Sequence, residues 1–147
     1  MDIGNLIEKS SKLIKNNMNN SLEGFGLTYV QWKILKDIHT IEDINGDIEE
    51  LTPLEIGKRV GIDKATLSSA INRMISNEWV EKIKNPLDKR SYYLLMTQKA
   101  ISSIHKLEKI AEEAEQNLIS GLSPQEAVLL SKYLKVVIEN LQKDTYY

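Results

Sequence analysis

Apolar residues recur at helical spacing in six stretches of the chain, interrupted once by two short runs of alternating character. The first stretch, 2–21, carries Ile3, Leu6, Ile7, Leu13, Ile14 and Met18 among Lys, Asn, Glu and Ser, which predicts a helix with one buried stripe. Its phase breaks at SLEGFG, where Gly24 and Gly26 mark a turn around Phe25. A second helix starts at Thr28, a capping hydroxyl. Its Tyr29, Val30, Trp32, Ile34, Leu35 and Ile38 are dense enough to predict burial on much of the circumference. Residues 40–51, TIEDINGDIEEL, read as an acidic, solvated connector. The glycine there is wrongly placed for a calcium loop, and no terminal glutamate stands at the right offset.

The pattern is most informative between Leu51 and Thr97. Thr52 followed by Pro53 starts a helix, because the hydroxyl caps and a proline at the first helical position loses nothing by lacking an amide proton. Glu55 completes a capping-box pattern, and Gly61 ends the helix after Val60. Asp63 caps the next helix, predicted over 64–77. There Leu67, Ala70, Ile71, Met74 and Ile75 face inward and Ser68, Ser69, Asn72, Arg73 and Ser76 face out. Two strand-like runs, 79–83 and 91–95, flank the basic turn KNPLDKR. Helix, turn, helix, strand, loop, strand is the order of a winged helix-turn-helix, whose second helix enters a DNA major groove.

Thr97 then caps a long helix to about residue 120, with Ile101, Ile104, Leu107, Ala111, Ala114 and Leu118 at helical spacing. At 1.5 Å per residue it is about 35 Å long. Gly121 ends it, and Ser123, Pro124 and Glu126 open the last helix. That helix bears Val128, Leu129, Leu130, Tyr133, Leu134, Val136, Val137, Ile138 and Leu141, more apolar surface than packing on one side requires. A second copy of the chain is the simplest cover, with the first helix joining the interface. The expected fold is therefore all-α with a small antiparallel β-wing. Residues 28–97 form the winged helix-turn-helix (wing about 79–96), and 1–24 and 98–147 the dimerisation part.

Composition narrows the chemistry. The 147 residues suffice for one core without staples, and the absence of cysteine excludes thiol redox sensing, thiolate catalysis and Cys-based zinc sites. No leader-like N-terminus or membrane-length apolar run occurs, so a cytoplasmic location is expected. The net charge of −2 argues against nucleic-acid binding only until its distribution is considered. From Lys58 to His105 nine basic residues face four acidic ones, a local +5 on an otherwise acidic chain. No nucleophile, base and orienting group share a recognisable spacing and no phosphate-binding glycine loop occurs, so neither an enzyme nor a cofactor is expected. His39 and His105, far apart and without a compact donor set, are read as a helix-end and a surface or interface residue; no metal site is assigned.

The DNA-contact set assigned to this region is Lys64, Thr66, Ser68, Ser69, Asn72 and Arg73 on the second helix, with Lys84, Lys89 and Arg90 on the wing. Small hydroxyl residues let a helix backbone approach the groove, and Asn72 and Arg73 can reach phosphates or base edges. A basic hairpin can reach adjacent phosphates or place an arginine in the minor groove. Asp88 would be repelled by phosphate, so it is expected to pair with Lys89 or Arg90 and structure the wing. Phe25, Tyr29, Trp32, Trp79 and His105 are candidate lining for an effector cleft.

These residues resemble the multiple-antibiotic-resistance regulator (MarR) family. The resemblance is carried by Gly26, Leu27, Thr28, Gln31 and Trp32, by LTPLEIGKRVGIDKATLSSAINRM, by Asp88, Lys89 and Arg90 in the wing, and by Leu95, Thr97 and Gln98. It covers essentially the whole chain. It implies a triangular homodimer that binds an imperfect palindrome in double-stranded DNA, with recognition by 64–76 and Arg90 near the minor groove. It also implies a repressor released by a small aromatic or anionic effector. The chain departs from the family pattern at Glu78 and Trp79, where a glycine often stands, and in the length of the acidic connector. The competing reading is a winged-helix module for protein–protein contacts or nonspecific DNA organisation.

Overall fold

The computed structural model describes residues 1–144. They form two compact units, 1–111 and the segment from Glu112 onward. The elements are α1 (Ile3–Leu22), α2 (Tyr29–Asp43), α3 (Pro53–Val60), α4 (Lys64–Ser76), β1 (Val80–Lys84), β2 (Tyr92–Met96), α5 (Gln98–Leu118) and α6 (Pro124–Asp144). Single 3-10 turns lie at Glu23–Phe25 and Ile48–Leu51. The two strands pair antiparallel, Val80 opposite Met96 and Lys84 opposite Tyr92. No described helix is long and apolar enough to cross a membrane.

The core of the first unit is built around α2, which packs on α1, α3, α4 and β2. Trp32, Ile34, Leu35 and Ile38 are buried there, as the density of apolar positions predicted. Thr28 and Gln31 form a complete capping box at its start, so Gln31 is buried with its carbonyl satisfied by the Thr28 amide at 3.2 Å. Ile56, Ile71, Met74, Leu94 and Leu107 close the core from the other elements. Each such side chain contributes on the order of 1.5–3 kcal/mol by leaving water.

Several details depart from the sequence expectations. The α1 stripe is buried only at its C-terminal end: Met18 and Leu22 are covered, while Ile3, Leu6 and Leu13 are exposed. Glu55 forms half of the expected capping box. Its amide donates to the Thr52 hydroxyl at 3.3 Å, but its carboxylate turns to Lys58. Each strand is displaced by one residue, because the Trp79 amide donates to the Met74 carbonyl at 2.8 Å and so belongs to the end of α4. The connector is not simply a solvated loop. Helix α2 continues to Asp43, and 48–51 is a 3-10 turn capped by Asp47.

Two glycines matter for the helix pair. Gly61 ends α3 in a left-handed conformation (φ 72°) and returns its amide to the Gly57 carbonyl at 2.9 Å. Gly57 lies where an added Cβ would stand 2.9 Å from Leu67 Cδ2, so a side chain there would force Leu67 to shift.

Candidate nucleic-acid interface

The capping of α4 orders the start of its outward face. Asp63 accepts the Thr66 amide at 2.9 Å and the Thr66 hydroxyl at 2.7 Å, and these hydrogen bonds hold its carboxyl below the usual range. The Thr66 hydroxyl proton is thereby committed to the cap, which leaves its oxygen as an acceptor. Leu67, Ala70, Ile71 and Met74 anchor the inner face. Lys64, Thr66, Ser68, Ser69, Asn72 and Arg73 are all exposed, the last four as helical spacing predicted.

The wing tip is held by two Asx turns. Asn85 Oδ1 accepts the Leu87 amide at 2.9 Å, and Asp88 Oδ1 accepts the Arg90 amide at 2.9 Å. Asp88 therefore structures the hairpin, though through the backbone of Arg90 rather than through an ion pair with Lys89 or Arg90. Both cationic side chains therefore stay available. The turn before the wing keeps the left-handed geometry that a glycine would supply, with Glu78 at φ 62°. The departure at this position changes the residue and keeps the shape.

The nine cations of the basic stretch divide into two groups. Arg59 is fully engaged: it donates to Asp37 from Nε at 3.0 Å and from Nη2 at 2.9 Å, to Glu50 Oε2 from Nη1 at 2.8 Å, and to the Glu50 carbonyl. These partners raise its pKa, the Asp37 hydrogen bonds most. Lys99 donates to the Asn77 carbonyl at 2.8 Å and lies 4.4 Å from the Trp79 ring centroid. Lys82 sits 4.1 Å over Tyr92, and Lys58 reaches Glu55 at 3.5 Å. Among the described residues, Lys64, Arg73, Lys84, Lys89 and Arg90 take part in no ion pair. Those five are the cations of the assigned DNA-contact set; the local +5 overcounts because it treats Arg59 and Lys99 as available.

The acidic connector is tied to α3 and β2. Glu50 binds Arg59 of α3. Glu49 accepts the Tyr93 hydroxyl at 2.5 Å, which pushes the phenol up to about 12. Glu42 accepts the Met96 amide at 3.3 Å, and burial raises its carboxyl above the usual range. Sequence reasoning missed these roles because the partners lie 9, 44 and 54 positions away. It also missed a bridge from α2 to α5, in which Glu108 meets Lys36 at 3.0 Å and His39 at 3.3 Å. Lys36 is the main cause of the lowered Glu108 pKa.

The five effector-cleft candidates occupy three environments. Trp32 and Trp79 are core residues, and the Trp79 indole nitrogen is buried with no hydrogen-bond partner among the described residues. His105 is exposed. Phe25 and Tyr29 are half-buried, and Lys33 lies 4.2 Å over the Tyr29 ring with its amine lowered first by burial and then by Lys15.

A capped helix pair with a small, polar, cationic outer face and a basic antiparallel hairpin directly after it defines the winged helix-turn-helix class. The sequence model of the MarR family matches residues 27–92 of this chain. The multiple antibiotic resistance protein MarR of Escherichia coli K12 is 27% identical over 139 residues, spanning 92% of this chain and 90% of that protein. A mutant of E. coli MarR, solved in complex with operator DNA, matches with a TM-score of 0.77 at 25% identity over 92% of each chain. MepR of S. aureus, solved as a DNA complex, matches with a TM-score of 0.84 at 21% identity over 95% of this chain and 98% of that one. The last likeness shows the fold.

Proposed function

We propose that this protein is a sequence-specific, double-stranded DNA-binding transcriptional regulator. In this reading it is a homodimeric repressor that acts in the cytoplasm on an imperfect palindrome and catalyses no reaction. The observation that carries the reading is the coincidence of five cations that take part in no ion pair among the described residues with an exposed face of small polar residues on α4 and the wing. Lys64, Lys84 and Lys89 then serve phosphates, Ser68, Ser69, Asn72 and Arg73 meet the major groove, and Arg90 meets the minor groove. The Thr66 oxygen accepts from a base edge.

Dimerisation falls to the helices outside residues 28–97. Val128, Tyr133, Val136 and Ile138 on α6 are exposed, as are Ile3, Leu6 and Leu13 on α1, and a second copy removes such surface from water. A two-fold pair whose recognition helices stand about 34 Å apart reads half-sites one DNA turn apart. Effector release is assigned to the half-buried Phe25 and Tyr29, which a small aromatic anion could reach with Lys33 as counter-charge; Trp32 and Trp79 would have to leave the core to line such a cleft.

The test is binding of the full chain to duplexes selected from a random library. Recovery of a palindromic consensus, bound tightly and in a salt-sensitive way by a dimer, is the expected result. Equal affinity for random duplex would overturn the reading.

A further inference from the structure

We infer that the wing tip is an apolar wedge: Leu87 enters the minor groove alongside Arg90, between phosphate anchors supplied by Lys84 and Lys89, and favours a deformable base step there. This rests on the DNA-binding reading and adds to it a residue that deforms DNA. Leu87 is 91% exposed, more than any other large apolar residue described except the terminal Met1. A single exposed leucine is ordinary on a protein surface. This one differs in its mounting.

Pro86 precedes Leu87, the Leu87 amide donates to Asn85 Oδ1 at 2.9 Å, and the next amide, that of Asp88, returns to the Asn85 carbonyl at 3.4 Å. On the far side the Arg90 amide is held by Asp88 Oδ1 at 2.9 Å and the Ser91 amide by the Asp88 carbonyl at 3.2 Å. Leucine is thus the projecting residue of a hairpin braced on both sides, and Lys84, Lys89 and Arg90 take part in no ion pair among the described residues.

The chemistry follows from what leucine lacks. It can neither bind phosphate nor hydrogen-bond a base edge, so docking of the wing gains from Leu87 only by desolvating it against sugars or between bases. Partial unstacking costs least at pyrimidine–purine steps and most in stiff A-tracts. A wing carrying arginine alone gains most from the narrow minor groove of an A-tract, so a leucine wedge shifts the preferred step toward TA or CA.

The test uses the full chain and a duplex selected by the wild type from a random library, resynthesised with TA, CA or AA at the step under the wing. Wild type is expected to prefer TA and CA to AA and to bend the duplex in a circular-permutation gel assay. Leu87→Ala should lose on the order of tenfold in affinity, lose the step preference and bend the DNA less. Its salt slope should match wild type, since no charge is removed. Leu87→Met should recover most of the affinity. Binding by Leu87→Ala within about twofold of wild type, with step preference intact, would overturn the wedge and leave the regulator reading standing. Failure of wild type to select any sequence would overturn both.

Discussion

Arg59 and Arg90 belong to the same basic stretch and have opposite surroundings. Arg59, in the last turn of α3, meets Asp37 of α2 and both the carboxylate and the carbonyl of Glu50 in the connector, so three elements converge on one guanidinium. Arg90, at the wing tip, is exposed; among the described residues its side chain takes part in no ion pair, while its backbone amide is held by Asp88. One arginine holds the reader together and the other is left for a partner. A phosphate competing for Arg59 would have to displace carboxylates already in bidentate contact, whereas it would find Arg90 hydrated and free. Counting charges along a sequence measures composition; availability is set by acidic residues that the fold brings from elsewhere.

Removing Arg59 should have the largest effect on stability. Arg59→Ala strands Asp37 and Glu50, and chemical unfolding should show a loss of about 2–4 kcal/mol. Arg59→Lys should recover only part, because a lysine cannot bridge both carboxylates. A loss below about 0.5 kcal/mol would mean that the pair is ornamental. Arg90→Ala should leave stability within about 0.5 kcal/mol of wild type. Its effect should appear in titrations of a selected duplex, where affinity falls by about tenfold.

Smaller effects sharpen the picture of what supports the reader. Glu78→Gly relieves a left-handed conformation that costs an L-residue about 1–2 kcal/mol, offset by the greater chain freedom of glycine in the unfolded state; a net gain of about 0.5 kcal/mol is expected in thermal melts. The smallest effects are in pH dependence. The Glu108 carboxyl is lowered in the folded state, chiefly by Lys36, so its contribution is present above the ordinary value of 4.5 and is lost as pH falls through the folded value. Glu108→Gln should therefore flatten the acid limb of stability against pH. Tyr93 is raised, chiefly by its hydrogen bond to Glu49, from 10.0 to about 12, so its contribution is present below pH 10 and is lost as pH rises through about 12. Absorbance titration should show a late-ionising tyrosine that disappears in Tyr93→Phe.

Local chemistry carried much of this fold into the sequence. Thr28, Thr52, Asp63 and Ser123 start helices as their side chains require, and Gly61 stops one. The exposed set on α4 was legible because a thirteen-residue helix with four buried apolar positions leaves one face for solvent. What stayed hidden was long-range. The engagement of Arg59, Lys99 and Tyr93 depends on partners that no local pattern reveals, and the close approach at Gly57 is visible only once Leu67 faces it. Trp79 illustrates the limit from the other side: an aromatic that could have lined a cleft is a core residue, its amide tied to the end of α4.

The division of cations is tested most directly by the salt dependence of binding to a selected duplex, measured for Arg90→Gln and Lys89→Gln against Arg59→Gln and Lys99→Gln, each confirmed folded. Every phosphate contact removed lowers the slope of log K against log salt by about 0.9, so a symmetric dimer should lose about 1.8 per substitution at a contacting position. That loss is expected for one or both wing variants, with an unchanged slope for Arg59→Gln and Lys99→Gln. Equal loss in both pairs would mean that the engaged cations bind phosphate as the wing cations do.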